Sequence, residues 1–482
     1  MDTMRRTNSF LNALQTRDAR TENDMVTHST SGSRVLDLFY GMGGSRQMGE
    51  TAIIRLASSA FGEDALLTTK AMFYNRDVRG GQGERRSFRL MFRWLCENYP
   101  EIAIKNLTNV PFYGRWDDLF VAVNTPVEVP AIDTIASALK AGDKLCAKWM
   151  PREGKGKTSG RYKDAMVLRK YLDLTPRSYR KLLAGNTQVI ESFMCSGKWE
   201  SIDYNHVPSV ASNKYRHAFG KHDFTRYSAW LESLSKPESG NKIHADAIFP
   251  HTIVHGYLSN HYGGIKGLDK TLEAQWKALP NYVPDGQSFI PVCDVSGSMN
   301  GEPMEVSVSL GVYLSERNKG PFKDAFLTFS GHPKLQVLTG DTLRGKIEQL
   351  ETSQWDMNTD LEAVFKLILS KATSGSVPAE DMPQTILIIS DMQFDQCIEK
   401  PSNTAMDMIR RQYETAGYKI PNVVFWNVRT SQGIPVKLDE QGTAIVSGFS
   451  PSIMKNLLSG EMRPDAVMLR TLLDPRYDRV VI

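Results

Sequence analysis

No stretch of this chain supplies the run of about 20 apolar residues that a membrane-spanning helix requires. The segment Met1 to Arg20 is charged throughout and lacks the apolar centre of a secretory leader. A soluble, cytoplasmic protein is the expectation. Cysteine is sparse: Cys96, Cys146, Cys195, Cys293 and Cys397 are widely spaced, with no C-x-x-C pair and no histidine at zinc spacing. They read as free thiols of a reducing compartment, most of them core filler. Equally missing are G-x-S-x-G, H-E-x-x-H and P-loop strings, and His332 is the only histidine after Pro284, so no enzymatic activity is expected.

What is present is ordinary globular material: 482 residues, 41% hydrophobic and 23% charged, too long for one hydrophobic core and more consistent with two domains. The net charge of +4 conceals an asymmetry. Before residue 286 there are 39 Lys and Arg against 30 Asp and Glu; after it, 19 against 24. The basic excess concentrates in Lys144, Lys148, Arg152, Lys155, Lys157, Arg161, Lys163, Arg169, Lys170, Arg177, Arg180 and Lys181, opposed by only Glu153, Asp164 and Asp173. Tyr162, Tyr171 and Tyr179 are interleaved with these bases. Basic groups neutralise phosphates and aromatics stack on unpaired bases, so this stretch is a candidate nucleic-acid surface. A solvated helix face is the competing reading.

Residues 1–30 are polar and aperiodic and are expected to form a mobile arm. From 31 to 283 apolar residues recur at helical spacing, as in Thr51 to Ser58, Ala65 to Asn75, Glu84 to Asn98, Trp116 to Val123, Ile132 to Lys148, Asp164 to Tyr171, Pro176 to Leu183 and Phe224 to Leu234. Thr175-Pro176 has helix-start chemistry. Short helices with brief turns suggest paired helices stacked as a solenoid. From 284 to 482 the pattern changes. Apolar runs Phe289 to Val295, Ala325 to Phe329, Thr385 to Ile389 and Val423 to Val428 alternate with helical stretches, which predicts a doubly wound α/β domain.

The sharpest string is Asp294-Val295-Ser296-Gly297-Ser298, at the carboxyl end of the first predicted strand, where ligands gather in an open parallel sheet. Short oxygen-bearing side chains at alternate positions of a turn can converge on a small hard cation. Thr359, at a predicted helix start, and Asp391, just after a predicted strand, supply oxygens from two further loops. Singly, each residue reads equally well as a helix cap. Together, in this order, they resemble the metal-ion-dependent adhesion site of von Willebrand A domains. That resemblance implies Mg2+ or another divalent cation held by Ser296, Ser298 and Thr359, with Asp294 and Asp391 acting through water or hydrogen bonds. It also implies an open position for an acidic side chain of a protein partner. Met392 stands where such domains usually carry glycine.

Two strings mark the helical half: Phe73 to Arg86, F-Y-N-R-D-V-R-G-G-Q-G-E-R-R, and Val110 to Leu119, V-P-F-Y-G-R-W-D-D-L. Arginines beside aspartates suggest charge-assisted bonds locking loops together, in competition with phosphate contacts. Upstream of D-V-S-G-S-M and S-D-M-Q-F-D, these strings resemble the TROVE module of Ro autoantigens and telomerase-associated proteins, and more closely an uncharacterised plant, protist and viral relative carrying R-D-x-R-x-G-x-G-E-R and Y-G-R-W-D-D. The resemblance implies a HEAT-like helical-repeat ring closed by a von Willebrand A domain and holding single-stranded or misfolded RNA. A cluster from Tyr204 to Ser209 with Asn213 to His217 also matches the relative's pattern and is a candidate lining of such a ring; His206 and His217 read equally as interior residues. The alternative is a metal-dependent assembly scaffold that binds no nucleic acid.

Overall fold

Helix starts in the first half are fixed by side chains that accept from otherwise unpaired first-turn amides. Ser33 accepts from Leu36 N, Asp64 from Leu67 N and Asp143 from Cys146 N, opening the helices Arg34–Met42, Ala65–Arg76 and Lys144–Trp149. Thr175 caps Pro176–Asn186 through Ser178 N, with Pro176 in the first turn. The computed structural model describes residues 19–153, 160–187, 189–258, 267–319, 321–329, 333–351, 360–395, 404–429 and 433–482. Lys155, Lys157, His332, Thr359 and Cys397 lie outside the described residues.

Two short strands, β1 (Ala19–Arg20) and β2 (Val26–Thr27), precede the helices as an antiparallel pair. The periodic stretches that follow appear with changed bounds. Ile132 to Lys148, expected as one helix, is two, Glu128–Lys140 and Lys144–Trp149. Gly142, at φ 78°, takes a left-handed turn between them that a residue with a side chain resists. Trp116–Ala122 is a 3-10 helix. The helices Ser209–His222, Pro250–Leu258 and Lys270–Ala278 complete this half.

The second half is built on one six-stranded sheet. Its strands are β3 (Phe289–Asp294), β4 (Ala325–Phe329), β5 (Lys334–Val337), β6 (Thr385–Ser390), β7 (Asn422–Asn427) and β8 (Thr443–Ser447), in spatial order β5-β4-β3-β6-β7-β8. Within it only the β4–β5 pair is antiparallel. The buried strands β3, β6 and β8 have no polar face, as expected for a sheet covered on both sides. The helix Glu302–Arg317 covers the face of Cys293 and Phe326; a Cβ at Gly311 would stand 2.4 Å from Cys293 Sγ. Leu361–Ser374 lies over part of the other face. Because β3 leads to β4 on one side and neighbours β6 on the other, the chain reverses winding between β3 and β6, leaving a crevice at their carboxyl ends.

Residues 19–30, expected in a mobile arm, are instead tied to the sheet domain. Thr21 Oγ1 donates to Phe394 O at 2.7 Å, Asn23 Nδ2 to Gln393 O at 2.8 Å, and His28 forms a bridge with Ile434. These partners lie about 400 residues downstream, so local polarity gave no sign of them. Gly43 N and Phe39 O both bond Ser447 Oγ, which seats Arg34–Met42 on the β8 edge. At its other end the helical half returns to Glu302–Arg317, where Trp276 Nε1 donates to Glu316 at 2.7 Å. One apolar core accordingly runs through both halves, with a smaller one around Tyr204, Phe219, Tyr227 and Trp230. No helix among the described residues is long and apolar enough to cross a membrane.

Candidate cation site and nucleic-acid face

The crevice between β3 and β6 brings four of the five residues of the cation reading together. Asp294, the last residue of β3, is fully buried; its Oδ1 accepts from Ser296 N at 2.9 Å and its Oδ2 from Ser390 Oγ at 2.6 Å. Ser296 Oγ and Ser298 Oγ are 3.1 Å apart. Asp391, directly after β6, is also buried and accepts from Gln393 N at 3.2 Å. The fifth, Thr359, is outside the described residues.

Met392 adopts φ 63°, the left-handed conformation that glycine would take there, while its side chain is buried and its N–H donates to Ser390 Oγ. The loop thus keeps its turn without glycine. Two further groups were not read as site residues: Ser390, although it opens the S-D-M-Q-F-D string, and Arg429, which no motif announced. Ser390 fixes Asp294, and Arg429, just beyond the carboxyl end of β7, donates to Ser298 O and lies 4.0 Å from Asp391 Oδ2. Arg429's place after the next strand of the crevice was the available signal.

The electrostatics are those of an anionic pair short of a counter-charge. Burial, then the nearby Asp391, pushes the Asp294 carboxyl up to about 7. Burial also raises Asp391, against hydrogen bonds from Gln393 N and Ser298 and the charge of Arg429. Two carboxylates and two hydroxyls form an all-oxygen donor set suited to a hard divalent cation, whose charge would offset this penalty.

The basic stretch divides on folding. Arg161, Lys163, Lys170, Arg177, Arg180 and Lys181 are exposed on the helices Gly160–Tyr171 and Pro176–Asn186, as are Lys144 and Arg152 nearby. Lys148 and Arg169 are half-buried and bound, to Glu191 at 3.4 Å and to Glu153 at 2.6 Å. The tyrosines do not form the expected interleaved platform. Tyr179 is core, its hydroxyl donating to Pro151 O; Tyr171 is exposed but donates to Asp133 at 3.1 Å. The stacked aromatic here is Trp149, with the Arg115 guanidinium 4.1 Å above its ring. His206 and His217 are both exposed, which removes the interior reading.

The two arginine-aspartate strings lock onto each other. Arg76 Nε, buried, donates to Asp118 at 2.8 Å; Arg89 Nε reaches the same carboxylate at 2.7 Å, and Arg85 pairs with Asp117 at 2.5 Å. Gly114 is required because a Cβ there would stand 2.6 Å from Arg76 Nε. Asp77, also buried, receives Arg476 Nη2 at 2.7 Å and Tyr477 Oη at 3.0 Å, tying the first string to the C-terminal segment. Burial and the adjacent Arg85 lower the Arg115 guanidinium, which has no ion pair among the described residues. Arg161 lies 4.0 Å from Asp117, linking this arginine group to the exposed basic face.

These features coincide with a family. The chain belongs to the family described as domain of unknown function DUF2828, whose profile matches residues 21–124 and 130–286; a second profile, domain of unknown function DUF7788, matches residues 288–470. The uncharacterized protein L728 of Acanthamoeba polyphaga mimivirus is 31% identical, with 94% of this chain and 87% of that protein aligned. A crystal structure of the RO (RSR) protein of Deinococcus radiodurans is similar over 92% of this chain and 99% of its own, at 14% identity and a TM-score of 0.47.

Proposed function

We propose that the chain is a non-enzymatic, Ro-like RNA-binding protein of the cytoplasm. In this reading the helical half is a HEAT-like ring closed by a von Willebrand A domain, and it holds single-stranded or misfolded RNA. The observation that carries the reading is the exposed basic face of Gly160–Tyr171 and Pro176–Asn186, continuous through Arg161 with the partly exposed Arg85, Arg89 and Arg115. Such a face neutralises phosphates without demanding a particular sequence. The family strings add support by their resemblance to the TROVE module, although folding uses most of their own charges internally.

A second activity is favoured by the buried carboxylates of the crevice. Asp294, Ser296, Ser298 and Asp391, together with Thr359, would hold Mg2+ or another divalent cation, which when bound supplies a positive point for a carboxylate of a protein partner. The chain's own part is to fix the oxygens: Ser390 orients Asp294, Gln393 N orients Asp391, and Arg429 steadies the Ser298 loop. The cation residues belong to the sheet half and the basic face to the helical half, so the two activities can be tested separately. Filter retention of a single-stranded RNA should weaken on combining Arg161→Glu, Lys163→Glu and Arg177→Glu and should ignore a chelator. Calorimetric Mg2+ binding should disappear in Asp294→Ala with RNA retention intact. RNA retention equal in the charge-reversed protein would overturn the first reading, and stoichiometric cation binding by Asp294→Ala the second.

A further inference from the structure

The sheet face under Leu361–Ser374 is only partly covered. The registers place Ile290 of β3, Ala325 and Leu327 of β4, and Leu335 and Val337 of β5 on this one face. Leu367, Ile368 and Ala372 of the helix form one wall over them, and Phe322 and Met382 close one end, leaving a groove of about 1160 Å3. The element after β5, Leu343–Glu351, does not cover the strip. It packs against Pro250–Leu258 and Lys270–Ala278, the helices that adjoin the opposite side of the sheet. Leu335 and Val337 are consequently 56% and 49% exposed, in a class of sheet that is ordinarily covered on both faces.

Size and charge narrow the occupant. The bare strip is two strands wide, roughly 10 Å at about 4.8 Å per strand, which matches the roughly 10 Å diameter of one α-helix. Its rim carries Lys323, Lys334 and Lys371 against a single acid, Asp381. Lys371 makes no ion pair among the described residues, and Lys323 lies 3.9 Å from Asp324, which is outside the lining. The groove is closed at the amino ends of the strands by Pro321 to Lys323 before β4 and by Met382 and Pro383 before β6, and it runs along β4 and β5 to Pro333 and Lys334.

We propose that this groove docks an amphipathic helix of a partner protein, its apolar face on Leu335, Val337, Leu367 and Ile368 and its flanking carboxylates on Lys323 and Lys371. The partner helix would complete the covering layer that the described residues leave open. This assignment depends on neither RNA nor cation binding.

Fluorescence anisotropy of the full chain with a labelled synthetic leucine and glutamate amphipathic helix of about five turns tests it. Saturable binding is expected, weakened at least about tenfold by Leu335→Glu and by Lys323→Glu combined with Lys371→Glu. Both changes are at surface positions, and an unchanged circular dichroism spectrum separates lost docking from lost folding. A lysine version of the peptide should bind at least about tenfold more weakly. Absence of binding, equal binding of the lysine version, or equal binding of a proline-interrupted extended peptide overturns the proposal. So does sedimentation showing that the chain dimerises through this face.

Discussion

Replacing Asp118 by asparagine asks whether the two family strings are a structural lock. The Asp118 side chain is fully buried and accepts from Arg76, Arg85, Arg89 and the Arg115 amide. Arg76 is buried too, and its Nη2 has no hydrogen-bond partner among the described residues. A carboxamide in place of the carboxylate would still accept one or two of these bonds but would leave the Arg76 cation without its counter-charge. Removing one member of a buried pair costs about 3–5 kcal/mol, and the retained bonds place Asp118→Asn near 3 kcal/mol. That is a large part of the roughly 5–15 kcal/mol that holds a domain folded. Arg76→Met should cost less, because Asp118 keeps the partly exposed Arg85 and Arg89.

The pH profile provides a second check on the same residue. Burial alone would raise Asp118, but Arg76 and Arg89 more than reverse this and hold the carboxyl below the usual aspartate range. Its stabilisation is present above the unfolded value of about 3.9 and is lost as pH falls through the lower folded value. Urea unfolding of wild type, both single variants and the double variant measures these terms. A loss below about 1 kcal/mol in Asp118→Asn, or no coupling in the double variant, would refute the lock.

Other expectations follow from the crevice and the basic face. In chelator, Asp294 should destabilise the chain as pH rises from roughly 4 to 7, because a carboxyl raised from 3.8 to about 7 is favoured in its protonated form; the difference is on the order of 4 kcal/mol. Calorimetric melting should show that slope in wild type, lose it in Asp294→Asn and lose it on adding Mg2+; a flat wild-type profile contradicts the burial argument. Met392→Gly relieves a left-handed strain of about 1 kcal/mol but removes a buried side chain worth about 2–3 kcal/mol, so a net loss of stability is expected in urea unfolding. Greater stability would mean that the turn, not the core, dominates. Lys148→Ala should weaken RNA retention less than Lys163→Ala, since Lys148 is committed to Glu191 and Lys163 is exposed.

Much of this architecture was legible in the chain. Four of the six strands and the crevice carrying Asp294 and Asp391 follow from apolar runs and a single motif, because buried parallel strands have no polar face to confuse the pattern. The short strands were not legible. β5 is an edge strand of alternating K-L-Q-V, and β8, T-A-I-V-S, is flanked by turns that disguise it. The β1–β2 pair depends on Gln393, Phe394 and Ile434, which no local pattern could connect to residues 19–28. The same distance hid Asp77 from Arg476. Tyr179 was misleading for a different reason: charge density describes a stretch, whereas helical phase decides which of its side chains turn inward.

The proposed RNA contact is between phosphates and the exposed basic face of Gly160–Tyr171 and Pro176–Asn186. It is tested most directly by the affinity of the full chain for a labelled single-stranded RNA, measured by anisotropy across a salt series. With about four of the six exposed bases engaged, log affinity should fall against log salt with a slope near −3, at roughly −0.7 per phosphate. Arg161→Glu with Lys163→Glu should lower the affinity and flatten the slope by about one or more. No binding at low salt, or binding whose slope is unchanged by these substitutions, would contradict the claim.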